Sequence, residues 1–174
     1  MSIEKTAVIT GTSTGIGFET ALALAREGYY TYATMRDTAK GDRIKEIAQK
    51  ENLKINVLKL DVENDSSVKS AIKQIVDKNQ RIDILVNNAG WGLWGCVEDV
   101  SIDEFKAQFE TNFFSIVRMI QEVGPVMRKQ GSGIIVNISS YTGRIGFPAS
   151  SPYASSKFAL EGLSESLRLE MAPF

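Results

Sequence analysis

The sequence predicts an α/β fold in which one parallel sheet is wound by helices on both faces. Three observations carry this expectation. Five short runs rich in β-branched and aliphatic residues (7–10, 30–35, 55–60, 82–87 and 133–139) alternate with longer stretches of helical periodicity. Several of these runs are apolar almost throughout, as in strands buried on both faces. Each strand candidate is followed by a helix candidate, and five βα units in succession imply parallel strands joined by crossovers.

The first helix is expected over 15–27, where Ala21, Leu22 and Ala25 share a face and Gly28 marks the end. Amphipathic segments follow at 42–51 and 67–78. A long helix is predicted over 101–129, opened by the capping box SIDE of Ser101 and Glu104. Val100 and Phe105 have the spacing of a hydrophobic staple, and Pro125 is expected to kink or shorten that helix. The last helix runs from about Pro152, a favoured first-turn residue, to about Met171, and Pro173 stops it. No internal repeat, linker or low-complexity segment interrupts the 174 residues, which read as one domain over 1–174.

Composition narrows the chemistry. A net charge of −1 points to no nucleic-acid partner, and no apolar run has the length of a membrane span. The N-terminal MSIEKTAVITG reads as a strand rather than a signal peptide. A single cysteine, Cys96, forbids an internal disulfide and fits a reducing cytoplasm. There is no histidine, which excludes histidine triads and leaves no imidazole or thiolate zinc site; no metal is expected. Acid–base work must fall to Tyr, Lys, Asp, Glu or Cys.

Ligands of such sheets bind beyond the carboxyl ends of the strands, so the residues just after each strand matter most. After the first comes TGTSTGIG, with Gly11, Thr12, Ser13, Gly15, Ile16 and Gly17. Glycines there permit a tight turn and a close approach of pyrophosphate to the backbone, and the next helix offers free N–H groups. After the second, Met35 occupies the place where an acidic residue would bind ribose hydroxyls. Arg36 beside it has the guanidinium that clasps a 2′-phosphate, although a strand-end arginine also serves as a solvated residue. Asp37 reads as a helix-start residue. After the third, Asp61 and Val62 stand where a carboxylate can take the adenine amino group or simply cap a turn. After the fourth, Asn87, Asn88, Ala89 and Gly90 form a small-residue turn. The fifth runs into Ser139 and Ser140. Tyr153 and Lys157 follow four residues apart on one helix face, which on spacing alone is a surface pair.

Taken in order, TGTSTGIG (10–17), Asp61-Val62, NNAG (87–90), Asn112 in FETNFFS, VNISS (136–140) and YASSK (153–157) make the chain resemble the short-chain dehydrogenase/reductase family across nearly its whole length. The resemblance implies a Rossmann-type fold, a nicotinamide cofactor and a tetrad of Asn112, Ser140, Tyr153 and Lys157; the expected strand order is 3-2-1-4-5, and Arg36 points to NADP(H) as preferred cofactor with NAD(H) as the alternative. The family's serine lies about thirteen residues before its tyrosine, which selects Ser140 over Ser139. Cofactor contacts are expected from Gly11, Thr12, Ser13, Gly15, Ile16, Gly17, Arg36, Asp61, Val62, Asn88, Ala89, Gly90, Tyr153 and Lys157, and substrate contacts from Ser140 and Tyr153. A free phenol titrates near 10, and a cation beside a phenol favours phenolate, the role the resemblance gives Lys157. It gives Ser140 the substrate oxygen, and Asn112 a local bend in the long helix with a water relaying protons to Lys157.

The implied activity is interconversion of an alcohol and a ketone or aldehyde. A non-catalytic NADP(H) sensor of the same fold is the competing function, and a sugar-nucleotide epimerase or dehydratase is a third. A hydrophobic substrate is suggested by Trp91, Trp94, Ile145 and Phe147 near the expected cleft, where the same aromatics also suit loop anchoring. The family commonly forms homo-dimers or homo-tetramers. It also continues past the YxxxK helix, so the chain is expected to be the N-terminal portion of a longer protein. The strand carrying Ile134, Ile135 and Val136 would then be an apolar edge.

Overall fold

Side chains alternate across the pleat of a strand, and in the computed structural model this alternation feeds two cores. The structure describes residues 4–174. Five strands, β1 (Thr6–Thr10), β2 (Tyr30–Met35), β3 (Ile55–Lys59), β4 (Ile84–Asn87) and β5 (Ile134–Asn137), form one sheet in the order β3-β2-β1-β4-β5. Every neighbouring pair is parallel. Helices α1 (Gly15–Arg26), α2 (Asp42–Glu51), α3 (Asp65–Asn79), α4 (Ile102–Phe109) and α5 (Ser115–Gln130) fill the connections, and α6 (Ser151–Met171) follows β5.

Val8 and Leu85 point to one face, where Val68, Ile72 and Ile75 of α3 and Met119, Val123 and Met127 of α5 bury them. Ala7, Ile9 and Val86 point to the other, against Phe18, Ala21 and Leu22 of α1 and Ile44 of α2. Each fully buried aliphatic side chain in these layers contributes about 1.5–3 kcal/mol. The strand order is the expected one, and the crossover between β3 and β4 places the sheet's switch point beside β1 and β4, above Gly11 and Asn88.

The expected helix over 101–129 is not continuous. The capping box forms, with Ser101 Oγ accepting from the Glu104 N–H and the Glu104 carboxylate accepting from the Ser101 N–H. Residues Glu110–Phe114 then make a wider π-type turn before α5 resumes. Pro125 neither ends nor shortens the helix, which continues to Gln130 with Val123 and Met127 buried on either side. Burial of that face outweighs the one N–H that proline removes. The fifth strand is shorter than expected, and its Ile134 is 57% exposed, an open edge as anticipated. Among the described residues no helix is long and apolar enough to cross a membrane.

Candidate active site

A cleft of about 1020 Å³ runs over the carboxyl ends of the strands, from Arg36 at one end to Tyr153 and Lys157 at the other. This is at the top of the size range of small-molecule and cofactor sites, about 300–1,000 Å³. Of the sequence candidates, Gly11, Ser13, Ile16, Arg36, Val62, Asn88, Ala89, Gly90, Ser140, Tyr153 and Lys157 line it. Thr12, Gly15, Gly17, Asp61 and Asn112 do not, and each has another place.

The glycine turn is built by close packing. Gly11 has φ +70°, and a Cβ there would lie 2.8 Å from the Ala89 Cα. A Cβ on Gly17 would lie 2.3 Å from Asn88 Nδ2 and 2.5 Å from the Gly11 carbonyl oxygen. Gly17 is therefore a glycine because the β4 turn presses on it, which differs from the expectation that it makes room for a ligand. Asn88 holds this contact, donating from Nδ2 to the carbonyls of Thr10 and Gly11. Thr10 Oγ1 in turn accepts from the N–H groups of Asn88 and Ala89. Thr12 is buried, and its N–H and hydroxyl both donate to the Thr34 carbonyl, pinning the turn to β2. Thr14, the cap of α1, makes no side-chain bond to the first-turn N–H groups. With Gly15 at φ +64° and open space around it, an uncapped helix N-terminus faces the cleft. Such a cradle fits the diphosphate of a dinucleotide.

At the β2 end, Arg36 is exposed on the cleft wall and has no carboxylate partner among the described residues, and Lys40 joins it there. Asp37 starts a short 3₁₀ turn (Thr38–Gly41) and accepts from the Ala39 N–H, as expected. Asp61 accepts from the Glu63 N–H at 3.1 Å. Its carboxylate thus closes a turn, while its neighbours Leu60, Val62 and Glu63 reach the cleft.

At the far end, Tyr153 and Lys157 stand on the first turns of α6. Lys157 is only 5% exposed, so the pair is no surface pair. Its Nζ donates to the Ile138 carbonyl at 2.8 Å and sits 5.7 Å from the Tyr153 ring centroid. Burial holds the Lys157 pKa down, to about 8, because the charged form is poorly solvated there. The two serines after β5 differ. Ser140 Oγ accepts from the Thr142 N–H and hydroxyl, at 3.2 and 2.9 Å, and keeps its own O–H to donate. Ser139 Oγ is buried with no hydrogen-bond partner.

Asn112 is buried inside the π-type turn, and its side chain is fully engaged. Oδ1 accepts from the Trp91 N–H, while Nδ2 donates to the Trp91 carbonyl at 2.9 Å and to Ser156 Oγ at 3.3 Å. The bend expected at Asn112 is present, but the amide itself ties the β4 loop to α6 and reaches no cleft surface.

The sequence reading missed Gln108 and Thr111. Both are buried, and with Asn112 and Ser115 they make a polar stripe at helical spacing. Gln108 bonds Leu93 N–H and the Trp91 carbonyl, and Thr111 accepts from the Trp91 indole and donates to Glu63. Trp91 and Trp94 line the cleft, and Trp94 packs on Tyr153 at 5.8 Å between ring centroids. Ile145 and Phe147 do not line it; Phe147 instead packs edge-on against Tyr141, which does.

A family model described as short chain dehydrogenase matches residues 5–174. An uncharacterized oxidoreductase of Bacillus subtilis, YusZ, is 44% identical over 98% of this chain and 61% of its own length. A 3-ketodihydrosphingosine reductase of Bacteroides thetaiotaomicron is 42% identical, covering 96% of this chain and 58% of that protein. Human retinol dehydrogenase 8 is also 42% identical, over 98% and 55%. Among solved structures, ElxO with NADP bound superposes with a TM-score of 0.91 at 36% identity, over 97% of this chain and 68% of that one. The chain thus spans a little over half the length of these curated relatives.

Proposed function

Because the chain belongs to the short-chain dehydrogenase family, we propose that it is the cofactor-binding and acid–base part of an NADP(H)-dependent oxidoreductase interconverting an alcohol and a ketone or aldehyde. The observation that carries this reading is the meeting of Ser140, Tyr153 and buried Lys157 on one cleft that is continuous with the glycine turn.

The fit to a nicotinamide dinucleotide rests on the uncapped N-terminus of α1 and on the small-residue walls Gly11, Ala89 and Gly90. Such a cofactor, when bound, supplies or accepts the hydride. The rest falls to side chains. Ser140 donates its O–H to the substrate oxygen and stabilises charge developing there. The Tyr153 hydroxyl gives its proton to that oxygen in the reductive direction and takes it back in the oxidative one. Lys157 has two ammonium hydrogens left after its bond to Ile138, available for ribose hydroxyls. Asn112 acts through its backbone turn and its hold on Trp91.

Preference for NADPH is supported by Arg36 and Lys40, two cations on the cleft wall, and by the NADP held in a structural neighbour. An apolar substrate is supported by Trp91, Trp94 and Tyr141 along the cleft, and by two relatives whose names specify retinol and 3-ketodihydrosphingosine. Exposed Phe114 and Phe158 support a homo-oligomer, and the single cysteine a reducing compartment such as the cytoplasm. The test is NADPH oxidation by the full-length protein against apolar ketones and aldehydes. Turnover that disappears in Tyr153→Phe is the expected result. NADPH binding with no oxidation of any substrate would overturn the enzyme reading in favour of a sensor.

A further inference from the structure

The β4 loop has an unusual dependence on side chains. Residues 91–93 belong to no strand or helix, yet the Trp91 N–H and carbonyl and the Leu93 N–H are all bonded to side chains. The Trp91 carbonyl receives two donors, Gln108 Nε2 at 2.8 Å and Asn112 Nδ2 at 2.9 Å. The Leu93 N–H is taken by Gln108 Oε1 at 2.6 Å. Gln108 is fully buried, uses both ends of its amide on this loop, and is not among the residues that line the cleft.

The loop is fastened again at its other end. The Gly95 N–H donates to the Ala149 carbonyl at 2.8 Å, just before α6 begins. Between the two fastenings stands Trp94, 60% exposed and tilted over the Tyr153 ring. Gly92 lets the indole fold back, since a Cβ there would lie 3.3 Å from Trp94 Nε1 and 3.6 Å from Tyr153 Cδ2. The order of this wall therefore depends on two amides beneath it, and only Gln108 reaches Leu93.

We propose that Gln108 is a positioning residue for the reaction at Tyr153: by clamping Trp91 and Leu93 it holds Trp94 as an apolar wall that seats a bulky hydrophobic carbonyl compound. The proposal rests on the oxidoreductase reading above. Gln108 touches neither substrate nor cofactor in this scheme. Its loss acts through Trp94, and it falls on substrates large enough to use that wall.

The test is a double-mutant cycle on the full-length protein with NADPH, using 2-tetralone as the bulky apolar ketone and dihydroxyacetone as the small polar one. Gln108→Met keeps the length of the side chain and removes both bonds. It is expected to raise KM for 2-tetralone about tenfold, the scale of one or two lost hydrogen bonds, and to leave the dihydroxyacetone KM and the NADPH Kd within about twofold. In a Trp94→Ala background the same substitution is expected to cost nothing further on 2-tetralone. An equal penalty with and without Trp94, or an equal penalty on both ketones, overturns the proposal.

A second readout needs no turnover. Both tryptophans of these 174 residues lie on this loop, so the part of the full-length protein's emission that is lost in Trp91→Phe/Trp94→Phe reports the loop. Gln108→Met is expected to increase acrylamide quenching of that emission, and unchanged quenching overturns the clamp. Should Gln108→Met fail to fold, Gln108→Asn serves: one methylene shorter, it cannot span both partners, and it must move quenching in the same direction. If the wild-type protein oxidises NADPH with neither ketone, the oxidoreductase reading is what suffers, and quenching still decides whether Gln108 holds the loop.

Discussion

The two ends of the cleft are built on opposite principles. At the glycine turn the working surface is backbone, and neighbouring segments touch so closely that Gly11 and Gly17 have no room for a Cβ. At the α6 end the working surface is side chain: a serine with a free O–H, a tyrosine held by an indole and a lysine buried by its surroundings. The first end should fail when an atom is added, and the second when an atom is removed. Binding and turnover should therefore separate along the cleft.

The largest expected effect removes one oxygen. Tyr153→Phe should lower kcat by about 10²–10⁴-fold, the usual worth of a positioned acid–base group, while calorimetry shows NADPH affinity nearly unchanged. A variant that keeps wild-type turnover would dissolve the contrast at its reactive end. The opposite change, Gly17→Ala, adds one carbon against a backbone carbonyl and the Asn88 amide. It should cost about 1–3 kcal/mol of stability, as overpacking does, and weaken NADPH binding. Native stability and affinity in that variant would show that the turn has slack.

Lys157 sharpens the contrast through pH. Its folded pKa of about 8 lies below its ordinary value of 10.5. Between those values the unfolded chain binds the proton more than the folded one, so stability should rise with pH across pH 8–10.5. The cost of the buried ammonium, present below that window, is at most about 3 kcal/mol. In urea unfolding, Lys157→Met should be ahead of wild type most at pH 7 and lose that lead by about pH 10.5. A gap that stays flat with pH would mean that the ammonium is well solvated. Arg36→Ala should reduce the ratio of kcat/KM for NADPH over NADH by about tenfold or more, the scale of a charged hydrogen bond. An unchanged ratio would move the selectivity elsewhere, with Lys40 the next residue to vary. The smallest effect belongs to Asp61→Ala, where losing the turn contact to Glu63 should cost about 0.5–1 kcal/mol. The midpoint of thermal unfolding would register that loss, and a large fall in NADPH affinity would return Asp61 to the binding surface.

Most of the architecture could be read from the chain, because strand, helix and cap signals are local. The capping box at Ser101 and the turn role of Asp37 are such signals. Burial depth is not local, as β4 and β5 show. Their sequences, ILVN and IIVN, are nearly the same and pair in register, yet the first is buried throughout and the second is open at Ile134 and Val136. Among these 174 residues β4 is paired on both edges and β5 on one. The site shows the same division. Tyr153 and Lys157 are legible as a family pattern, while their spacing alone reads as a surface pair. The stripe Gln108, Thr111, Asn112 and Ser115 looks like a solvated helix face until the β4 loop is laid across it. Polar residues at helical spacing are ordinarily outside, and nothing in the sequence says that a loop has come to meet them.

The wide turn at Glu110–Phe114 has a consequence for how this chain tolerates changes of length. Ser115 N–H reaches back to the Glu110 carbonyl, five residues rather than four. Each residue advances a regular helix by about 100°, so the extra one swings α5 by about that angle relative to α4. The polar stripe meets the loop, and the apolar stripe of Met119, Val123 and Met127 meets the sheet. A one-residue deletion here would leave a better-formed helix and a worse protein, with every side chain of α5 rephased at once. Substitutions along this helix act one at a time; a single lost codon between 110 and 114 would act on all of them together.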